Sequence, residues 1–390
     1  MKVAIITTDN REYARDYSNP NPHFGTAPEA LLHGLEQHRE IEVHVVSCAR
    51  RTLQAPKKIG ANIFFHSLCV PKLGWMRTLY QGCVRAVRHR LRQIQPDIVH
   101  GQGTEMDCAL DAVFSGFPNV LTLHGNMIDV ARVMKSRPFT FHWLASRLET
   151  AALGRTAGVF CNSRLTRDLV QPRARRTWMV PNAMRPDMFL NPPQPRSGGL
   201  CELLHVGAIC PNKGQLEMLR VLRELHSQGL KFRLSFLGVA SPGIEYTDTF
   251  LAEVREAERI GFARHLGFRP LKELIPTYDS AHALIHTPDS EAFGLVATEA
   301  LARNLKVFAF GVGGLKDILE GTRDSVMVGE RGLGWPPEGP GRMDHPGCPP
   351  GRRQCRHHGC PLPAGDHRRP SFGDLHRGPE RKEGLRSPGG

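Results

Sequence analysis

No stretch of the 390-residue chain contains 18 consecutive apolar residues, the approximate minimum for a membrane-spanning helix. The apolar start, MKVAIITTDN, is too short for a secretory signal peptide and predicts a first β-strand instead. No Gly-x-Gly-x-x-Gly turn follows a strand with an acidic residue about 20 positions later, which argues against a dinucleotide-dependent dehydrogenase. These absences favour a cytoplasmic protein without a nicotinamide cofactor.

Paired cysteine spacings are also missing. The ten cysteines form no disulfide framework, and those before residue 330 are scattered among apolar runs, as expected for buried thiols in a reducing cytosol. Neither zinc-finger spacing nor basic residues interleaved with aromatic ones occur, so the sequence predicts no nucleic-acid partner. The formal net charge of +13 favours another anionic partner, such as a nucleotide diphosphate or an acidic lipid.

Short apolar strands alternate with helical stretches along most of the chain. This alternation is typical of parallel sheets covered by helices on both faces. Around residues 181–195 the composition becomes rich in Pro, Asn and Gly, which predicts an interdomain linker. We therefore predict an α/β protein with a first domain over 1–183, a linker over 184–199 and a second domain over 200–328.

The periodic pattern ends at residue 329. Of the 62 residues from 329 to 390, 25 are Gly or Pro, and such a segment buries too little apolar surface to offset its ordering entropy. We predict a disordered tail, explained by a shifted reading frame in a GC-rich gene. Its Cys355-x-His357-His358-x-Cys360 segment has ligand residue types, but its spacing is too cramped for zinc.

The segment from Pro288 to Leu319 is the most informative part of the chain. It places two carboxylates around a Phe-Gly turn and then predicts a helix, a hydrophobic strand and a glycine-rich turn. The residues are Glu291, Phe293-Gly294, Glu299, the helix Val296 to Arg303, the strand Lys306 to Phe310 and the turn Gly311 to Gly314. Loops of this kind follow the strands of a parallel sheet, where such sheets bind ligands, and a helix N-terminus offers free N–H groups to a phosphate.

These residues resemble the retaining glycosyltransferases of family 4. The resemblance lies in Glu291-Ala-Phe-Gly, in Glu299-Ala eight positions after the first acid, and in the downstream Gly313-Gly314-Leu. It implies the GT-B fold, in which two doubly wound Rossmann-like domains face a cleft. Because such a protein continues with further elements where this chain has its tail, the resemblance also implies that the second domain is incomplete.

The resemblance assigns the donor site to the second domain. It implies that Lys213 stabilises the leaving diphosphate, that Glu291 binds hydroxyls of the donor sugar and that Glu299 accepts from the ribose. Further donor contacts are implied for Gly207, Phe293, Gly294, Leu295 and Val296. Ala208 stands where the family commonly has a second cation, an arginine.

Candidates in the first domain follow two strands. Gly25 and Thr26 lie in the loop after the first strand, where the backbone can approach the donor phosphates, although an ordinary turn explains them too. His124 ends the strand from Val120, and the resemblance places it beside the donor sugar as a catalytic residue. His100, with Gln102, is a weaker candidate, since a histidine at a strand end is often structural.

The function implied is transfer of a sugar from a nucleotide-diphosphate donor to a glycan or lipid-linked glycan acceptor, with retention, as in polysaccharide biosynthesis. No Asp-x-Asp pattern stands in a convincing place, so we expect no metal dependence and no cofactor besides the donor substrate. Two alternatives stay open: a GT-B sugar-nucleotide epimerase, and a truncated, inactive protein that binds a nucleotide or nothing.

A basic amphipathic segment covers residues 75–94. Apolar residues recur there at helical spacing, and five arginines occupy the other positions. Such a helix can lie on an anionic bilayer at the inner face of a membrane. It can equally cover a sheet and leave a basic face in solvent, and the sequence alone does not decide between the two.

Overall fold

The computed structural model describes residues 1–194, 196 and 198–328, and the predicted tail at 329–390 lies outside them. Within these residues the strands are β1 (Lys2–Ile6), β2 (Glu42–Ala49), β3 (Ile63–Cys69), β4 (Ile98–Gln102), β5 (Asn119–Leu123), β6 (Gly158–Cys161), β7 (Thr177–Met179), β8 (Cys201–Val206), β9 (Phe232–Leu237), β10 (Ala263–Gly267), β11 (Ala283–His286), β12 (Lys306–Phe310) and β13 (Ser325–Val328).

The helices connect these strands in sequence. They are α1 (Asn10–Ala14), α2 (Thr26–Glu36), α3 (Gln81–Ile94), α4 (Cys108–Val113), α5 (Met127–Val133), α6 (Phe141–Leu153), α7 (Arg164–Val170), α8 (Gln215–Ser227), α9 (Glu245–Ile260), α10 (Leu271–Ser280), α11 (Leu295–Ala302) and α12 (Gly314–Leu319). The predicted α/β fold is thereby confirmed, with element ends that differ from the predicted ones by a few residues.

Two parallel sheets organise the described residues. The first has the strand order β3-β2-β1-β4-β5-β6-β7, and the second has the order β10-β9-β8-β11-β12-β13. In each sheet the order reverses beside its first strand, between β1 and β4 and between β8 and β11. Ligands of doubly wound sheets bind outside the carboxyl ends of the strands at such points. The loops after β1, β4, β8 and β11 are therefore the places to look for a site.

Each sheet is covered by apolar side chains on both faces. One cluster packs β1, β4 and β5 against α3 and α4. Another packs β1, β2 and β3 against α2. Two corresponding clusters cover the faces of the second sheet. The predicted linker contributes Met188, whose side chain is fully buried against the second sheet, so this stretch docks onto the second domain.

The helix of the amphipathic segment at 75–94 begins later than its apolar pattern predicts. Leu79 and Tyr80 adopt left-handed backbone conformations, with φ of 52° and 60°, and so separate a short 3₁₀ turn from α3. The apolar side of α3 packs into the core, which leaves its arginines to the outside. The sheet-covering alternative is therefore the correct account of its apolar face. No helix among the described residues combines the length and apolar character needed to cross a bilayer.

A buried ion pair that the sequence did not indicate anchors the loop after β1. Arg11 is almost fully buried and donates through Nε and Nη2 to the carboxylate of Asp9, at 2.6 Å for the closest pair. Its Nη1 donates to the carbonyl oxygens of Asn19 and Gln54. Since every donor that faces the interior has an acceptor, this arginine ties the 15–24 loop to the segment after β2.

Candidate functional site

A cleft of about 390 Å³ lies between the carboxyl edges of the two sheets. Side chains and backbone from both domains line it. All of the predicted site residues except Glu299 and the weaker candidate His100 are among them: Gly25, Thr26 and His124 from the first domain, and Gly207, Lys213, Glu291, Phe293, Gly294, Leu295 and Val296 from the second. The structure thus brings together residues that lie up to 271 positions apart in the sequence, from Gly25 to Val296.

Lys213 and Glu291 form an ion pair at the floor of this cleft. Nζ of Lys213 lies 2.5 Å from Oε2 of Glu291, and both side chains are largely buried. Asn212, which sequence reasoning missed, holds the two loops together: its Nδ2 donates to the carbonyl of Ser290, and its Oδ1 accepts from the Ser290 N–H. This reciprocal pair fixes the turn before α8 against the loop before α11.

Two buried histidines lie beneath the ion pair. Nε2 of His286 lies 3.2 Å from the same Oε2 of Glu291, and its ring stands 5.7 Å from that of His205. Burial lowers the pKa of His205 to about 3 and also lowers the pKa of His286. Burial works against ionisation of Glu291, yet Lys213 and His286 outweigh it and hold the pKa of that carboxyl well below its usual range. Glu291 is therefore a carboxylate at neutral pH.

The first turn of α11 faces the cleft with unused donors. Its N-cap is Gly294, which has no side chain to accept from the first N–H groups. The first bonds within the helix come from Ala297 and Thr298 to the carbonyl of Gly294, so the N–H groups of Leu295 and Val296 are available to a ligand. An anion placed there also gains from the helix dipole.

The downstream glycine turn supports the loop that carries Glu291. A Cβ on Gly313 would lie 1.9 Å from the carbonyl oxygen of Glu291, and one on Gly314 would lie 2.6 Å from that of Ala292. Gly314 N–H donates to the Glu291 carbonyl at 3.0 Å. Only glycine permits this approach, which explains why the two glycines stand there.

Glu299 lies apart from the cleft surface. It is buried, with Oε1 2.8 Å from Nη2 of Arg185 and Oε2 3.0 Å from the Tyr278 hydroxyl. Burial, together with the Glu299 charge, raises the pKa of Tyr278 well above its usual range, so this hydroxyl keeps its proton and donates it to the carboxylate. Sequence spacing gave no indication of Arg185, which comes from the segment between the two sheets.

On the first-domain side, His124 and Gln102 form a pair. Nε2 of His124 lies 2.8 Å from Oε1 of Gln102, and both residues line the cleft. Burial lowers the pKa of His124 to about 4 and that of His100 to about 4 as well, so both rings are neutral near pH 7. His100 does not line the cleft, and its ring forms a hydrogen bond with the Thr122 hydroxyl. Of the two candidates His100 and Gln102, only Gln102 lines the cleft.

Glu105 is a cleft residue that sequence reasoning missed. Its Oε1 accepts from the backbone N–H of Gly125 at 3.0 Å, beside His124. Burial, reinforced by the nearby Glu149, raises the pKa of this carboxyl. Glu105 lies in the loop after β4, and the strand order of the first sheet reverses between β1 and β4. Its position after a strand was the one feature of the sequence that could have indicated a site residue.

Two family models match successive parts of the described chain. Residues 29–187 match Glycosyltransferase Family 4, and residues 193–328 match Glycosyl transferases group 1. Together they span most of both sheets and every predicted residue of the second domain. The chain belongs to glycosyltransferase family 4. The resemblance read from the Glu291 and Gly313 segments is therefore confirmed.

Known proteins agree with this membership. A 2-deoxystreptamine glucosyltransferase from Streptomyces kanamyceticus is 26% identical over 228 residues, which is 55% of this chain and 58% of that protein. The chain thus spans little more than half of that relative's length. Sucrose-phosphate synthase from Thermosynechococcus elongatus superposes with a TM-score of 0.64 at 17% identity, over 85% of this chain and 86% of that one. Anabaena HepE, in complex with UDP-glucose, gives 0.61 at 17% identity over the same shares. These likenesses confirm the GT-B fold.

In this family 4 glycosyltransferase, Ala208 leaves the start of the loop after β8 without a basic side chain, so Lys213 is the one cation of that loop. The loop is held by Gln215, whose Nε2 donates to the Ala208 carbonyl at 2.8 Å. Among the described residues that line the cleft, Lys213 is the one Lys or Arg. The positive charge of the site therefore depends on that side chain and on the N-terminus of α11.

The two domains of this glycosyltransferase touch beside the cleft. The hydroxyl of Ser290, next to Glu291, donates to Oδ2 of Asp129 at 2.8 Å. On another side the backbone N–H of Arg164 donates to Asp317 at 2.6 Å, and its guanidinium reaches Glu320. These contacts hold the loop that carries Glu291 against α5, and the C-terminal part of α12 against α7.

Proposed function

We propose that this glycosyltransferase moves a sugar from a nucleotide diphosphate to a hydroxyl of a glycan or lipid-linked glycan, with retention at the anomeric carbon and without a metal ion. The observation that carries this proposal is the convergence of one cation, one carboxylate and one free helix N-terminus on a single cleft. Lys213, Glu291 and the first turn of α11 suit the diphosphate and the sugar of such a donor. The complex of HepE with UDP-glucose makes UDP-glucose the first donor to test.

Lys213 carries the electrostatic part of the mechanism. Cleavage of the bond between the sugar and the β-phosphate leaves negative charge on the phosphate oxygen, which Lys213 and the N–H groups of Leu295 and Val296 stabilise. A single preorganised donor of this kind contributes about 3 kcal/mol to the transition state. Lys213 must turn from Glu291 towards the phosphate, and Glu291 keeps His286 as its partner when this happens.

Glu291 binds hydroxyls of the donor sugar in this mechanism. Its charge is maintained by Lys213 and His286, so it accepts hydrogen bonds and faces the positive charge that develops on the sugar ring. No covalent intermediate on Glu291 is required. The bond from the acceptor oxygen to the anomeric carbon forms on the face that the leaving phosphate vacates, and a phosphate oxygen takes the acceptor proton.

The acceptor side of the cleft contains Glu105 and His124. We assign Glu105 to an acceptor hydroxyl, because its carboxylate would repel the donor phosphates and already has one oxygen fixed by the Gly125 N–H. The neutral ring of His124 contacts the donor sugar. The ribose contact expected of Glu299 requires its ion pair with Arg185 to open.

The reaction would take place in the cytosol or at the inner face of a membrane. The outer side of α3 presents arginines to solvent, and these can attract an anionic bilayer that holds a lipid-linked acceptor. This attraction is electrostatic, because the apolar side of α3 is used in the core. Binding to anionic vesicles should therefore weaken as salt is raised.

The experiment is a transfer assay with the full-length chain. UDP-, GDP-, ADP- and TDP-glucose are incubated with a panel of glycan and lipid-linked acceptors, and products are identified by mass spectrometry and by the anomeric proton in NMR. We expect one donor to yield an α-linked product. We expect Lys213→Ala to lower kcat by about 10²-fold, and the exposed Lys231→Ala to leave it unchanged.

Other outcomes of that assay would overturn the proposal. Conversion of the sugar nucleotide without any acceptor product would favour the epimerase alternative. A β-linked product would contradict retention. Equal turnover by Lys213→Ala and the parent would remove Lys213 from the reaction.

A further inference from the structure

Two cysteines and two aspartates meet inside the first domain, away from the cleft surface. Cys48 lies on β2, Cys83 lies on α3, and Asp107 immediately precedes α4. Each of these three offers one ligand atom, and the three atoms lie within 4.8 Å of one another. Asp111 joins them, since its Oδ2 lies 4.0 Å from Sγ of Cys48. All four side chains are buried.

The carboxylates of this Cys48–Cys83–Asp107–Asp111 cluster have no cationic partner. No Lys or Arg within the described residues forms an ion pair with Asp107 or Asp111, which sit one helical turn apart. Oδ1 of Asp111 is buried and has no hydrogen-bond partner in the described part of the chain. Buried carboxyl groups are normally paired with a cation, hydrogen-bonded or bound to a metal, so this orphaned oxygen requires an explanation.

We propose that the Cys48–Cys83–Asp107–Asp111 cluster binds a structural zinc ion. Zinc is borderline in softness, accepts both thiolate and carboxylate ligands, and is four-coordinate in structural sites. Zn–S bonds of about 2.3 Å in a tetrahedron place two sulfurs roughly 3.8 Å apart. Rotations that bring the ligand atoms of Cys48, Cys83 and Asp107 closer together, with the Asp111 carboxylate turned towards them as fourth ligand, would complete the site. Binding displaces the thiol protons, so affinity decreases as pH falls.

The ion would stabilise the first-domain wall of the cleft from the interior of the domain. It would tie β2 and α3 to the segment between β4 and α4, the same segment that carries Glu105 at the cleft. Cys108 follows Asp107, and its Sγ lies 3.6 Å from the hydroxyl oxygen of Thr8, another cleft residue. Loss of the ion would therefore loosen the acceptor side of the cleft, while the ion itself contacts neither the donor diphosphate nor the acceptor.

The test measures zinc in the full-length chain, expressed with added zinc and purified without chelator. Metal per chain is determined by plasma mass spectrometry for the parent and three variants. Cys48→Ser/Cys83→Ser removes the two thiols of the cluster. Cys161→Ser is the matched control, because Cys161 is equally buried on β6 and outside the cluster. Cys348→Ser/Cys355→Ser/Cys360→Ser removes the three thiols of the tail, which are the other candidate source of bound zinc.

We expect about one zinc per chain in the parent, in Cys161→Ser and in the tail variant, and less than about a tenth of that in Cys48→Ser/Cys83→Ser. Cobalt in place of zinc should give the parent a thiolate-to-metal absorption band that Asp111→Asn weakens. This spectrum tests sulfur ligation even if the double variant fails to fold. The proposal is overturned if the parent contains no metal after purification and takes up none when zinc is added. It is also overturned if only the tail variant lacks metal.

Discussion

Nζ of Lys213 lies 2.5 Å from Oε2 of Glu291, although the two residues are 78 positions apart. One precedes α8 and the other precedes α11, and Asn212 joins their loops by two hydrogen bonds to Ser290. The pair holds a cation and a carboxylate ready at the point where the strand order of the second sheet reverses. In the proposed function, the diphosphate of the donor meets this cation and the donor sugar meets this carboxylate.

Glu105→Gln tests the acceptor side through pH. Burial and Glu149 raise the pKa of Glu105, so the carboxylate form that binds an acceptor hydroxyl is lost as pH falls through a value above the ordinary glutamate range. We expect kcat/KM of the parent to fall on that acidic limb, and the limb to be absent in Glu105→Gln, whose activity is lower at every pH. Burial moves the pKa of His124 the other way, down to about 4, and a limb that persists in Glu105→Gln would belong to that ring. An identical limb in both proteins would contradict the assignment.

Gly313→Ala tests the support of the loop that carries Glu291. The added Cβ would meet the Glu291 carbonyl at 1.9 Å, and φ of 52° is unfavourable for alanine. We expect a loss of about 2 kcal/mol in unfolding free energy and a higher KM for the donor. Gly321→Ala is the matched control: its φ is 77° but no atom lies within 4 Å, so about 1 kcal/mol should be lost with an unchanged KM. Equal effects of the two substitutions would refute the steric argument.

Arg11→Ala tests the buried pair with Asp9. Removal of the guanidinium leaves a buried carboxylate and two carbonyl groups without their donor, and this should cost about 3 to 5 kcal/mol of unfolding free energy. Urea melts measure the difference. Arg259→Ala removes an arginine from an exposed pair with Glu256 and should leave the urea melt unchanged. Equal, small effects of the two substitutions would contradict the argument from the buried charge.

Glu299→Gln separates two roles of one side chain. Gln keeps an acceptor for Tyr278 but leaves the Arg185 guanidinium without a counter-charge, so unfolding free energy should fall by about 3 kcal/mol. The ribose role further predicts weaker nucleotide binding in calorimetry at a temperature where the variant is folded. Reduced stability with unchanged nucleotide affinity would make Glu299 purely structural.

The sequence predicted the second domain better than the first. Phe293, Gly294 and the Gly313-Gly314 turn lie close together along the chain. Their spacing was enough to indicate the loop that carries Glu291 and the turn that packs against it. Gly25, Thr26 and His124 follow strands of a parallel sheet, and the family resemblance placed them at the cleft. Short-range pattern together with the resemblance was sufficient for these residues.

Long-range pairing accounts for what was missed. Arg185 meets Glu299 across 114 positions, and Glu105 meets the Gly125 N–H across 20, so neither contact leaves a local pattern. The start of α3 was misplaced because Leu79 and Tyr80 are apolar residues at helical spacing, while their left-handed conformations depend on how the preceding turns pack. Tertiary contacts decided each of these features.

The measurement that tests the central claim most directly is a thermal melt of the full-length chain with UDP, GDP, ADP and TDP. Binding at 100 times Kd adds about 2.7 kcal/mol to unfolding free energy. We predict a cooperative melt that one nucleotide raises, with a much smaller shift in Lys213→Ala and a full shift in Lys231→Ala. A melt that none of the nucleotides moves, or an equal shift in Lys213→Ala, would contradict donor binding at this cleft.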